Sequence, residues 1–243
     1  MPLCVYAIVG RSSSRRTLIR ARDAAGASVR PVNAHATAAV VSDCRGSVSA
    51  TAQALRDHDR IVRRIAKVAP AILPVRFGTL VESERSLVGL LDAWSDDLQK
   101  ALALVDRRCQ MTLRLFAPTG AAAPLEEGSV AGEHAQNIEH AEAAQTAARP
   151  GTSYLMRRSQ EHAAAQLAPE LEPLSEAFAS IVAAERVTRH SQGPLILTAY
   201  HLIPRTAVTV YRRLLRRHAP ALSGRAIVSG PWPPYAFVPE LQR

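Results

Sequence analysis

In this 243-residue chain, the side chains best suited to handling protons are Asp57, His58 and Asp59, with Arg76 later in the sequence. An imidazole between carboxylates could move a proton near neutral pH, and a guanidinium could hold a developing negative charge. The spacing argues against that chemistry. Two residues apart on a helix, Asp57 and Asp59 point to different sides and cannot work as a paired carboxylate. The cluster therefore reads as structural, a polar contact between a helix and the strand after it. His134 and His140 are six apart, on different helical faces, and the remaining histidines are scattered, so no metal site is expected. Cys4, Cys44 and Cys109 form neither a CxxC pair nor an even disulfide set and read as reduced, partly buried thiols. No nucleophile elbow, glycine-rich phosphate loop or dinucleotide fingerprint is present. The residues thus point to a protein with no catalytic residue, cofactor, metal or small-molecule substrate.

Two stretches stand out from generic sequence. LPVRFGT, at residues 73–79, puts Arg76 and Phe77 in an apolar run closed by Gly78 and Thr79. An arginine inside such a run needs a carboxylate or carbonyl partner unless it sits at the rim of the sheet. GPWPPYAFV, at residues 230–238, carries Trp232, Pro233, Pro234, Tyr235 and Phe237. Its prolines lack the amide donor, so it cannot be a central strand. It must wrap its own domain or present aromatics to a partner, and wrapping is the preferred reading.

These stretches sit among elements read from periodicity. Residues 3–10 and 36–42 are apolar and suit core strands. The segment 12–26 fits a short helix or surface loop. Leu55, Ile61, Val62, Ile65 and Val68 recur at helical spacing and predict an amphipathic helix over 49–69, ended by Pro70. A strand is expected over 71–79, one long helix from Glu82 to Val105, and a half-buried strand over 111–116. Pro, Gly and Ala then collect without periodicity. Division into an N-terminal domain at 1–117, a linker with an Ala-rich helix at 118–150, and a C-terminal domain at 151–243 follows. The second domain should hold a helix from Thr152, a packed seam over Leu167, Leu171, Leu174, Phe178 and Ile181, a strand at 194–203, a helix at 207–218 and a strand at 225–229. Pro169 and Pro173 should break the seam near 168–172. The fold class is α+β, with helices on one face of a mixed or antiparallel sheet in each domain.

The net charge is +9 and the pI near 10.3, which raises the possibility of nucleic-acid binding. The densest patch is Arg205 with Arg212, Arg213, Arg216, Arg217 and His218. A solvated basic surface is the preferred reading, leaving no nucleic-acid partner. No apolar run reaches the roughly 20 residues that span a bilayer, and the apolar opening at 3–9 has no basic region before it. A cytoplasmic protein without a membrane partner is expected.

LPVRFGT, the helix before it with Leu55, His58 and Asp59, and the GPWPPYAFV segment together resemble the gas vesicle protein F/L family. Residues 6–9, 39–42 and 151–158, with Tyr154 and Leu155 followed by arginines, add smaller matches in the same order. The resemblance implies two α+β domains, the C-terminal one of modified ferredoxin-like type. It implies a non-enzymatic accessory or minor structural role in gas vesicle assembly. In that role the protein binds the small hydrophobic shell protein and limits its aggregation at nucleation, with other gas vesicle accessory proteins as further partners. Arg76, Phe77, Gly78, Thr79, Trp232, Pro233, Pro234, Tyr235 and Phe237 are the family-signature residues and the candidates for partner binding. Localisation would be cytoplasmic and at the gas vesicle.

Overall fold

The computed structural model describes residues 1–12, 23, 26–44, 49–118 and 168–240. The expected linker and its helix, the helix from Thr152, the match at 151–158, His134, His140, Leu167 and most of 12–26 lie outside these residues. The chain falls into two compact units: Met1–Gln110 with Leu202–Arg205 and Pro231–Arg243, and Met111–His201 with Thr206–Gly230.

The first unit is built on β1 (Leu3–Gly10), β2 (Arg30–Asn33), β3 (Thr37–Asp43), β4 (Leu73–Pro74) and β5 (Leu80–Val81), with α1 (Ala52–Val68), α2 (Glu84–Ala93) and α3 (Ser95–Val105). The sheet order is β2-β3-β1-β4, with β5 also on β1. All four pairings are antiparallel. Successive residues of β1 and β3 are buried, so both faces of the sheet are covered. This corrects the expected one-faced packing: continuous apolar runs, unlike alternating ones, mark strands buried on both sides. On α1, Ile61, Val62 and Ile65 face a core shared with Ala7, Val9, Val40 and Ile72. Thr51 caps that helix, its Oγ1 accepting from the Ala54 amide at 3.1 Å.

Two expected elements are interrupted. The strand expected over 71–79 is only β4, because Phe77 and Gly78 turn the chain before β5. The long helix expected to Val105 breaks at Trp94, which lies outside helical geometry at φ −105°, ψ 17°. Ser95, Asp96 and Asp97 then start α3, where acids favour a new N-terminus. β2 was not read from the sequence.

The second unit carries a four-stranded sheet in the order β7-β8-β6-β9. Its elements run β6 (Arg108–Phe116), α4 (Glu172–Phe178), β7 (Ala184–Arg189), β8 (Leu195–Pro204), α5 (Val208–His218) and β9 (Arg225–Trp232). The first residues of β6 and the last of β8 and β9 belong to the first unit. β6 is buried along most of its length rather than half-buried, as an internal strand of the sheet must be. The expected break near 168–172 is present: a 3₁₀ turn at Pro169–Leu171 precedes α4, and Pro173 lies in the first turn of α4, where its missing N–H costs nothing. β7 was not expected. β9 runs on to Trp232 through Pro231, which an edge strand tolerates.

Candidate functional site

LPVRFGT forms a loop hung on β1 at both ends. The Val75 amide donates to Tyr6 O at 2.9 Å, and the Val5 amide to Thr79 O at 3.1 Å. Between them the chain turns on Gly78, whose φ of 83° suits the third position of a type II turn. The Thr79 amide and hydroxyl both donate to Arg76 O, at 3.3 and 2.9 Å. Arg76, Gly78, Thr79 and Leu80 are exposed. Arg76 is thus a rim residue and not an arginine buried within a strand.

His58 holds this loop from behind. It is 8% exposed, and its Nε2 lies 3.0 Å from Val75 O. A carbonyl only accepts, so Nε2 carries the hydrogen. The ring lies against Tyr6, centroids 5.2 Å apart, and meets Phe77 edge-on at 5.6 Å. Burial holds the imidazole below its ordinary pKa, against the opposing effects of the Val75 carbonyl and Asp59. Asp57 is occupied on its own helix, accepting from Gln53 at 2.9 Å and pairing with Arg60. Asp59 pairs with Arg63. The two carboxylates therefore have separate partners, and the helix-to-strand contact expected of this cluster is made by His58.

The aromatic segment packs onto the first unit. The Arg63 guanidinium lies 4.4 Å from the Trp232 ring centroid, so Arg63 bridges Asp59 and Trp232. Pro233, Pro234 and Phe237 are buried, and Tyr235 packs against the core under α1. Burial, followed by the charge of Asp59, pushes the Tyr235 hydroxyl well above its ordinary pKa. The chain closes a 3₁₀ turn at Tyr235–Phe237, and the Ala236 amide donates to Gln110 Oε1 at 2.8 Å. These are wrapping contacts. Phe237, 3% exposed, has almost no surface to offer a partner. This also departs from the expected division at 151–243, since Pro231–Arg243 belongs to the first unit. Arg63 and Gln110 were not picked out from the sequence, where each looks like an ordinary polar residue.

Arg205 departs from the expected basic patch. Its guanidinium donates to Ala69 O, Pro70 O and Arg108 O at 2.9, 3.1 and 3.3 Å, backbone carbonyls just past the end of α1 and at the start of β6. On α5, Arg213, Arg216 and Arg217 are exposed, while Arg212 donates to Gly230 O at 2.6 Å.

A polar chain running inward from Glu185 in the second unit was also missed. His201 Nε2 lies 2.8 Å from Glu185 Oε1, and Nδ1 lies 2.6 Å from the Tyr211 hydroxyl. Phe178 stacks on Tyr211 at 4.6 Å. Tyr211 is fully buried, and that burial pushes its hydroxyl far above the ordinary pKa. The chain ties α4, α5, β7 and β8 together, with His201 and Tyr211 buried and Glu185 at the solvent-exposed end. Among the described residues, no group of three His, Cys, Asp or Glu could hold a metal, and no helix is long and apolar enough to cross a membrane.

Residues 3–239 match the family described as gas vesicle synthesis protein GvpL/GvpF. Two crystal structures are similar. Gas vesicle protein GvpF from Anabaena sp. PCC7120 has a TM-score of 0.66 at 13% identity, over 98% of this chain and 96% of that one. GvpF from Microcystis aeruginosa has a TM-score of 0.67 at 13% identity, over 98% and 99%. At that identity the likeness is one of fold. No curated protein matches the sequence significantly.

Proposed function

Because this chain belongs to the GvpL/GvpF family of gas vesicle synthesis proteins and so has a role in gas vesicle formation, we propose that it works by binding the small hydrophobic shell protein. It limits that protein's aggregation during nucleation, as an accessory and minor structural component rather than an enzyme. The observation that carries this reading is the family match over residues 3–239. The physical need is plain: a subunit that will line a gas space exposes apolar surface before assembly, and such surface aggregates unless covered.

The signature residues divide the work. Arg76, Gly78 and Thr79, with exposed Leu80 beside them, form the face that meets the partner. Phe77, Trp232, Pro233, Pro234, Tyr235 and Phe237 stiffen that face from behind, which their burial and their contacts with α1 support. Other gas vesicle accessory proteins are further partners, and the protein acts in the cytoplasm and at the vesicle. We read the second unit as modified ferredoxin-like, a reading supported by the succession β6, α4, β7, β8, α5, β9 and the order β7-β8-β6-β9.

Co-expression with the shell protein tests this. The wild type should keep the shell protein in the soluble fraction and co-purify with it at both low and high salt. Leu80→Asp should release it while the melting temperature stays unchanged. Shell protein that precipitates equally with and without this chain would sink the proposal; binding that collapses with added salt would point instead to charge alone.

A further inference from the structure

The cysteines, 40 and 65 residues apart in sequence, are not equally distant in the fold. β1 and β3 run antiparallel with Cys4 opposite Ser42, and the Cys44 amide donates to Pro2 O at 2.9 Å. Residues two apart on a strand share a face, so Cys4 and Cys44 stand on the same face, diagonally across neighbouring strands. That placement is also what couples the two thiols electrostatically. A disulfide needs Cα atoms about 4.4–6.8 Å apart, slightly closer than the 7–8 Å usual on a diagonal. The pair lies where the β1–β3 ladder ends, so the backbone can close that gap without breaking an internal rung. Cys4 is half-buried and Cys44 buried, which makes Cys4 the sulfur that a reagent reaches first.

We propose that Cys4 and Cys44 are a reversible redox pair, joined by a disulfide when the protein meets a small-molecule disulfide such as oxidised glutathione. The Cys4 thiolate attacks one sulfur of the oxidant, breaking its S–S bond and expelling one thiolate, which takes up the proton that Cys4 gave up. The Cys44 thiolate then attacks Cys4 Sγ in the mixed disulfide and expels the second small thiol. Two protein thiols are oxidised, one small disulfide is reduced to two thiols, and two protons pass to the leaving groups. Burial, then the neighbouring Cys44 thiol, pushes the Cys4 thiol up to about 12. Its thiolate is therefore scarce at neutral pH, and the pair responds to sustained oxidation rather than to a brief pulse.

The cross-link falls at a mechanically useful place. Leu3 and Cys4 also pair with Val81 and Leu80 of β5, directly after the LPVRFGT loop. Joining β1 to β3 there fixes the strand that anchors this loop. It also pins the neighbouring chain in which Tyr6 hydrogen bonds Ser42 at 3.0 Å and Ser42 donates to Asp23 at 2.7 Å.

The test is to incubate the native protein with oxidised glutathione, count thiols, and map disulfides by mass spectrometry of unreduced peptides. Two of the three thiols should be lost, a Cys4–Cys44 cross-linked peptide should appear, and the rate should rise about tenfold per pH unit between pH 7 and 10. Cys109→Ser should behave like wild type, and Cys4→Ser and Cys44→Ser should each abolish the cross-link. The oxidised form should melt roughly 5–10 °C higher and return to the original value with dithiothreitol. Three retained thiols after prolonged oxidation at pH 9, a cross-link through Cys109, or a dimer in place of the internal bridge would each overturn the proposal. The wild-type peptide map decides even if a serine variant fails to fold.

Discussion

His58 shows how a residue suited to proton transfer becomes a structural one. Its Nε2–H is committed to Val75 O, its faces to Tyr6 and Phe77, and its neighbours Asp57 and Asp59 to Arg60 and Arg63. The sequence already showed that the two aspartates cannot pair, since residues two apart on a helix diverge. It could not show that the imidazole would reach a carbonyl 17 positions later. The burial that lowers the His58 pKa has a consequence for stability. The unfolded chain binds a proton near pH 6.5 that the folded chain refuses, so the contribution is complete above that pH. It is lost as pH falls from about 6.5 to the lower folded value, by at most about 1.4 kcal/mol per pH unit. His190 is lowered in the same direction by burial and then by the charge of Arg114, but it is exposed, so solvent screening makes its share smaller. Urea denaturation at pH 7.5 and 5.5 should show this acid loss, and His58→Gln should remove part of it; an unchanged pH dependence would refute the assignment.

At the scale of elements, the sequence was a good guide to α1, α5, β1, β3 and β8, where an apolar periodicity or run extends over seven residues or more. It failed at β2 and β7, which are edge strands of their sheets. Such short strands are held by pairing to a neighbour far away in sequence, and their own composition says little. It also failed at residues 77–78, where Gly78 ends one strand and begins a return. Gly78 has open space around the position of a Cβ, so Gly78→Ala pays only for its positive φ, about 1 kcal/mol. Gly224 is the opposite case. A Cβ there would sit 2.1 Å from Phe116 O, so Gly224→Ala must move backbone and should cost more, roughly 2 kcal/mol or above. Thermal melts of the two variants give the order directly.

For the whole molecule, the last segment matters most. Residues Pro231–Arg243 belong to the first unit although the chain reaches them through the second. Removing them should strip Trp232, Tyr235 and Phe237 from the core of the first unit, and Phe237→Ala alone should cost about 3–5 kcal/mol. Hydrogen exchange should then speed up in β1 and β4 and stay slow in β8 near Leu197. Equal loss in both regions would contradict this division. By itself, the sequence determined the α+β class, helices α1 and α5, the break at Pro169 and Pro173, and the preference for an inward-packed proline-rich aromatic segment, because these follow from local periodicity and from what proline can and cannot donate. Only the tertiary structure decided which unit that segment completes, where Arg205 places its guanidinium, and that Cys4 and Cys44 lie diagonally across neighbouring strands. Each of those placements brings together residues 40 or more positions apart in the sequence. Such contacts depend on strand register and chain path, which no local pattern encodes.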